Sequence, residues 1–414
     1  MGLAGGARRA LISSVAVIGA AGLSLLRQVG AGALNTVYAE DGTVFLADAY
    51  RLSTLDALST PYAGYLHTVP RLLAEVVSAL PVSAAASGLA VSAALVTGLL
   101  AVLVYFASGT SLTSPWARAL ASAVVVLVPV GQEEIPNSIA NLHWPMLYAL
   151  FWVLLWEPAA RWLKPIVVLL IVLSDILTVV FLPLALWRWW KKRDHVAYPT
   201  RQPPNPQPLS MAAFGVGLAV QASAVLFGQS ERAFTPEPVM WAPWWVIRAV
   251  PTGFLGERWF GTGGVDTRWL LLAGVAWVVL LGFVLASWKS ASWKSLTWKG
   301  LVALAIIHCV AVYALPVALS GQATSRYAAA PAMLLIAALA VLLFEGKPKP
   351  TAVGIAFVVL CAAVWGANLR VPNSRSVGPM WSDQIQTQAC EGGQVSVQVS
   401  PRDKDWKLAV PCGR

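Results

Sequence analysis

Long uninterrupted apolar runs recur along most of this chain, and the charged residues are confined to the stretches between them. A helix needs about 20 consecutive apolar residues to cross the hydrocarbon core of a bilayer. Backbone polar groups inside lipid must be satisfied within the segment itself, so runs of this kind fold as membrane helices. A β-barrel would show apolar and polar residues alternating with period two, and these runs do not alternate. Composition agrees. Apolar residues make up 57% of the chain and charged residues 12%, where soluble domains carry about a quarter charged. Soluble-enzyme, disordered and fibrous classes are excluded, and the reading is an all-α polytopic membrane protein. The 20 tryptophans and 27 prolines suit interfacial belts and broken membrane helices.

Eleven candidate segments lie near 9–29, 84–107, 117–131, 143–156, 165–175, 176–188, 209–228, 267–288, 300–319, 327–344 and 351–369. The first is read as a span and not as a cleaved leader, although the small residues Ala31-Gly32-Ala33 keep a cleavage site open. The stretch 165–188 reads either as one span or as a short hairpin meeting at Ser174-Asp175. Charge favours the hairpin. With a cytoplasmic N-terminus, it places Arg8, Arg9, Arg118, Arg161, Lys164, the basic run of 188–193, Arg201, Lys289, Lys294, Lys299, Lys347 and Lys349 inside. Only Glu157, Asp194 and Glu345 are acids there. A single span would put the basic run and the lysine loops outside, against the positive-inside rule. The C-terminus is then extracytoplasmic. The net charge of +10 is partitioned by membrane side, so it does not point to nucleic acid.

The outer side receives a first loop over 30–83, an outer loop over 229–266 and a tail over 370–414, while 1–369 forms the membrane domain. In the first loop, 44–58 and 66–80 carry apolar residues at helical spacing and are expected to lie at the membrane surface as amphipathic helices. In 229–266, Trp241, Trp244, Trp245, Ile247 and Trp259 suggest an interfacial helix with an aromatic belt. The cytoplasmic stretch 189–208 reads as a basic, proline-rich connector. The tail is too short for a core of its own. Its Cys390 and Cys412 share an oxidising side and are expected to form a disulfide, and the alternating Val395–Val399 stretch suggests a strand.

Several polar residues are candidates for chemistry. Glu40 and Asp41 follow the first span, where adjacent carboxylates beside lipid are costly. Either could take a proton as general base, and the pair could help hold a divalent cation. The plain alternative is an acidic N-cap for the helix at 44–58. Glu133, Glu134, Asn137, Asn141 and His143 form a second acidic and polar motif between two short spans, whose plain alternative is a solvated loop. Asp175 sits at the tip of the proposed hairpin, as an active carboxylate or as a wet loop residue. Arg71, Arg248, Arg258 and Arg326 are basic and outer. Arg326 starts a span, where a guanidinium could grip a phosphate or simply snorkel. No zinc spacing, phosphate-loop pattern or nucleophile elbow occurs.

The cytoplasmic N-terminus, first span and long outer loop opening on an acidic pair resemble the GT-C superfamily of membrane glycosyltransferases. So do the short paired spans and an Arg326-Tyr327 pair before a late span. The resemblance covers roughly 30–345 as architecture. Ala39-Glu40-Asp41-Gly42, Gly64-Tyr65-Leu66, Pro70-Arg71 and Asn141-Leu142-His143-Trp144 look like an actinobacterial branch. The order here is Glu-Asp where some members show Asp-Glu, so the base is Asp41 or Glu40. The resemblance implies a polyprenyl-phosphate-linked sugar donor and a glycan or lipid acceptor of the cell envelope, with inversion at the anomeric carbon. Glu133, Glu134 and His143 would line a second acidic motif. Arg326, with Arg248 or Arg258, would neutralise the lipid phosphate. Alternatives are a flippase or transporter of a lipid-linked precursor, which asks for ionisable residues deep in several spans where only Asp175 and His308 approach that depth, and a non-catalytic envelope scaffold.

Overall fold

The computed structural model describes residues 2–158, 160–193, 207–228, 235–261, 264–290 and 296–412. Most of the chain is helical, and the sheet among the described residues has two strands. Among the described residues, six helices are long and apolar enough to cross a membrane: Gly6–Leu26, Val82–Ser108, Gln207–Phe227, Thr267–Ser287, Thr297–Ser320 and Ser325–Phe344. At about 1.5 Å per residue they reach roughly 30–40 Å, enough for a bilayer core. Four shorter apolar helices, Pro115–Leu127, Ala140–Leu155, Leu163–Val172 and Ala352–Asn368, also fall on expected segments. The segment expected over 176–188 differs. There a 3-10 stretch, Ile176–Phe181, runs into the helix Leu182–Arg193, which ends in the basic run. The chain is a multi-pass helical membrane protein.

Burial follows the apolar pattern of each helix. His143–Leu155 and Ala329–Phe344 are apolar all round and buried on almost every side, as such helices must be. Around them, outer helices expose Leu11, Ile18, Val216, Leu271, Val278 and Ile355. An outward face of large aliphatic side chains on apolar helices suits a lipid environment. The first helix packs closely on Ala85–Ser108 because Gly98 has no side chain: a Cβ there would stand 2.6 Å from the Val17 carbonyl oxygen.

Hydrogen bonds sort the loops to two ends of the bundle. At one end Glu345 accepts from the Thr113 and Ser114 amides. There too Lys164 Nζ donates to Leu154 O at 2.8 Å and Trp156 O at 2.9 Å, and Arg188 donates to Glu157 Oε1 at 2.8 Å. Lys164 and Arg188 thus reach the same short segment, although a straight helix would hold them about 36 Å apart. The chain therefore folds back between them, and the turn falls at the expected Ser174-Asp175. The tip docks at the other end, where Thr68 N donates to Leu173 O and Val69 N to Ser174 Oγ. This end also gathers the first loop, residues 128–143, the segment 235–261 and the tail.

The amphipathic stretch expected over 44–58 is broken into Asp41–Leu46, a π-helical turn, then Ala47–Arg51 and Thr54–Ser59. Ser53 starts the last piece by accepting from Asp56 N. The second stretch is one helix, Thr68–Ser78, burying Pro70, Arg71, Ala74 and Val77 while Val76 stays exposed. The tryptophan-rich loop forms Trp241–Trp244, a π-helical turn Trp245–Ala249, and Val250–Leu255. Most of the connector expected over 189–208, and residues 229–234 and 262–263 of the loop expected over 229–266, lie outside the described residues.

In the tail, Gln394–Gln398 and Lys407–Pro411 pair antiparallel, and Cys390 bonds Cys412. The expected alternation places Val395, Val397 and Val399 inward. These valines, Leu408, Val410 and Trp381 share one core with Val37, Phe45 and Leu46 of the first loop. That sharing solves the tail's shortage of apolar area. Trp381 Nε1 donates to Val82 O at 2.9 Å, and Tyr38 and Ser400 form a parallel bridge.

Candidate functional site

Two cavities lie side by side at the loop-rich end. The first, of about 360 Å³, is lined at its polar side by Glu40, Asn141, His143, Gln322 and Arg326. Aromatic residues Phe45, Tyr62, Tyr65, His67, Trp144 and Tyr327 add to it, and Ile176, Leu177, Val225, Pro316 and Leu319 complete an apolar side. Val225 and Leu319 are also among the exposed apolar residues. The second, about 450 Å³, is lined by Gly131, Glu133, Glu134, Arg248, Glu257, Thr324 and Ser325, and shares Gln322 with the first. Arg326 of the first cavity pairs with Glu134 of the second, so the ion pair lies where the two meet.

The four residues Ala39-Glu40-Asp41-Gly42 have four distinct environments. Ala39 takes a left-handed backbone (φ 37°) and donates its N–H to Ser400 O at 2.7 Å, a conformation that is strained for alanine. Glu40 lines the cavity and accepts from Tyr62 Oη at 3.3 Å. Asp41 turns the other way. It is 2% exposed and accepts from Ser138 Oγ at 3.0 Å, Ile139 N at 3.2 Å and Ala140 N at 2.8 Å. Gly42 lies against the tail, where a Cβ would come within 2.7 Å of Val37 Cγ1 and 2.9 Å of Val399 Cγ1.

Asp41 therefore does not line the cavity, and it does not cap its own helix. It caps the distant turn Ala140–Leu142 and so carries the first loop onto the second motif. Burial pushes its carboxyl up to about 7, against the opposing effects of the Ala140 N–H, the Arg375 guanidinium and the Ser138 hydroxyl. Burial likewise raises Glu134, opposed by Arg326.

The second motif divides. Asn141 and His143 line the first cavity. His143 Nδ1 lies 2.9 Å from Ala140 O, so in the neutral ring Nδ1 carries the proton and Nε2 is the acceptor nitrogen. Glu133 faces the second cavity and accepts from Ser374 Oγ. Asn137 does not reach the first cavity. Its side-chain amide exchanges two 2.9 Å hydrogen bonds with Ser24 of the first helix.

Of the four arginines singled out in the sequence, Arg326 lines the first cavity and Arg248 the second. Arg71 is buried, pairs with Asp48 at 3.0 Å and lies over the Phe45 ring. Arg258 donates to Ala367 O at 2.9 Å and lines neither cavity. Asp175 is a buried cap, 1% exposed, accepting from Leu177 N at 2.8 Å. His308 stacks on Phe181 within the bundle. Among the described residues no group of three or more His, Cys, Asp or Glu is arranged to hold a metal ion.

Arg375 escaped sequence reading. It comes from a tail segment that looks like a linker, yet it is 1% exposed, donates to Pro136 O at 2.7 Å and lies over the Tyr38 ring. Burial lowers its pKa, opposed by Asp41, Tyr38 and Glu133. The tail thus places a buried cation among the acids of both motifs. Tyr62 also went unnoticed; a tyrosine followed by Ala-Gly is an ordinary turn in sequence. No family model matches the chain, and no curated protein matches it.

Proposed function

We propose that this chain is a GT-C-like membrane glycosyltransferase. It moves a sugar from a polyprenyl-phosphate donor to a glycan or lipid acceptor of the cell envelope. The supporting observation is one cavity that combines a carboxylate, Glu40, with a guanidinium, Arg326, and an apolar side ending in the exposed Val225 and Leu319. An amphipathic donor needs all three. Its isoprenoid takes the apolar side and its phosphate meets Arg326, which offers planar paired donors. The acceptor hydroxyl attacks the anomeric carbon as the bond from that carbon to the phosphate oxygen breaks. The electron pair leaves with the polyprenyl phosphate, and Glu40 takes the hydroxyl proton. A single displacement inverts the anomeric centre. Positive charge beside the leaving phosphate stabilises the charge that develops there.

This reading keeps eleven membrane segments, the N-terminus inside and the loop-rich end outside, following the distribution of basic residues. It assigns the base to Glu40 and not Asp41, because Glu40 lines the cavity and Asp41's oxygens accept from 138–140. The test is transfer by the purified protein in lipid nanodiscs, using a panel of polyprenyl-phosphate hexoses and pentoses with envelope glycan acceptors. Wild-type turnover is expected, with Arg326→Gln raising the donor KM. A wild-type protein that turns over none of the panel overturns the reading.

A further inference from the structure

The first cavity has an aromatic edge with an unusual backbone. Tyr62 and Tyr65 exchange two backbone hydrogen bonds, N to O at 2.9 and 3.2 Å, so Ala63-Gly64 is a two-residue turn. Both turn residues have positive φ, 53° and 88°. Glycine adopts this freely; alanine does so at a cost. Of the described non-glycine residues with positive φ, Ala39, Ala63 and Asn137 belong to the segments that build this site, and Asp405 sits in the tail. Strain of this kind persists only where surrounding structure over-determines it.

The surroundings do so here. Gln221, buried in a membrane helix, accepts from Leu66 N at 2.9 Å and donates to Leu66 O at 3.1 Å and Val172 O at 3.0 Å. One amide thereby fixes the chain just after the turn. The rings lock one another: Tyr65 stacks on His67 at 4.2 Å, and Phe45 and Tyr62 lie 5.3 and 5.6 Å from the same imidazole. Tyr62 also donates to Glu40. A fixed aromatic surface therefore stands beside the carboxylate, with Asn141, His143 and Gln322 lining the same cavity.

We propose that the Tyr62–Tyr65 turn is the sugar-recognition edge of this cavity, with the C–H face of the donor's sugar ring packed on Tyr65. This rests on the glycosyl-transfer reading above and adds to it which element senses the sugar. A sugar ring presents C–H groups on one face and hydroxyls around its rim. The aromatic rings suit the face, and Glu40, Asn141, His143 and Gln322 supply hydrogen-bond partners for the rim. Arg326 serves the phosphate, which every donor carries, so the turn and not the arginine distinguishes a sugar-bearing lipid from the bare one.

The test is equilibrium binding to the full-length protein in nanodiscs, comparing farnesyl phosphate with its hexosyl and pentosyl esters. Wild type should bind one sugar-bearing lipid more tightly than the bare phosphate. Tyr65→Leu should weaken that lipid by about tenfold and leave farnesyl phosphate unchanged. Tyr65→Phe, which keeps the ring, should retain the preference, and it remains informative if the leucine variant does not fold. Equal weakening of both lipids by Tyr65→Leu, or loss of preference in Tyr65→Phe and Tyr65→Leu alike, overturns the proposed role of the turn alone. A wild type that binds no farnesyl-phosphate lipid overturns the transfer reading beneath it.

Discussion

The neighbouring acids Glu40 and Asp41 should fail in opposite ways when made neutral. Asp41→Asn keeps one oxygen, which can still accept from Ser138 Oγ and Ala140 N, since both now meet Oδ1. The new amide replaces Oδ2 and faces the Ile139 N–H, donor against donor. An unsatisfied buried donor costs about 1–3 kcal/mol. Glu40→Gln keeps an oxygen for Tyr62 Oη and should change stability by less than about 0.5 kcal/mol. Its turnover, however, should fall about 10²- to 10⁴-fold if Glu40 is the base, roughly 3–5 kcal/mol of barrier. Both variants would be followed by thermal unfolding in detergent and by sugar transfer in nanodiscs. Asp41→Asn should melt several degrees lower and lose activity only in step with folded protein. If Glu40→Gln retains turnover within a few-fold, or Asp41→Asn melts like wild type yet is inactive, the division of roles between the two acids is wrong.

Asp41 also sets a pH dependence. Its folded carboxyl titrates near 7 against 3.8 when unperturbed, so between these values the folded state binds more protons than the unfolded one, and its contribution to stability falls as pH rises from about 4 to about 7. Unfolding midpoints measured across this window should lose that slope in Asp41→Asn. Arg375→Met removes the donor to Pro136 O and should destabilise the protein by about 3–5 kcal/mol, the usual result of breaking a buried charge network; denaturant titration of the purified variant measures it. Gly42→Ala pushes a Cβ against Val37 and Val399 and should cost about 1–3 kcal/mol, read as earlier proteolysis of the tail. Cysteines placed at the exposed Asp383 and Arg161 should label from opposite sides of a sealed membrane; labelling from one side rejects the proposed topology.

Much of the fold was legible because lipid imposes a strict rule on sequence. Apolar length marked the helices, and the basic residues implied a reversal at Ser174-Asp175; Lys164 and Arg188, on its two arms, indeed meet the same segment at the opposite end of the bundle. The alternating valines of the tail marked its first strand for the same reason, since period two places Val395 and Val397 on one face. Helical spacing misled over 44–58. It counts side chains on a face and is blind to the extended residue Leu52 and to the Ser53 cap, which restart the helix. The site was harder to read. Glu40, Asn141, His143 and Arg326 share a cavity, whereas Asp41 and Asn137 serve as struts. Nothing in the sequence distinguishes a carboxylate aimed at a cavity from its neighbour aimed at the 138–140 backbone. That choice is made by contacts almost a hundred residues away in the chain.

The tail explains why the acidic pair divides as it does. Ser400 N donates to Val37 O and Ala39 N donates to Ser400 O, which clamps the chain on both sides of Tyr38. Arg375 fills the space beside that tyrosine ring, and Val399 closes on Gly42. With residues 37, 39 and 42 fixed, the backbone at Glu40 and Asp41 has little freedom. The left-handed Ala39 then sends consecutive side chains to different surroundings, Glu40 to the cavity and Asp41 to the 138–140 turn. Ser374 and Arg375 hold residues 133–136 from the same tail segment. Both acidic motifs are therefore positioned by the last forty-odd residues as well as by their own loops. A tail too short to form a core alone is stable here because its valines and Trp381 complete the core beneath the first loop. The geometry of the site and the stability of the tail thus depend on the same contacts, and a change that loosens one must loosen the other.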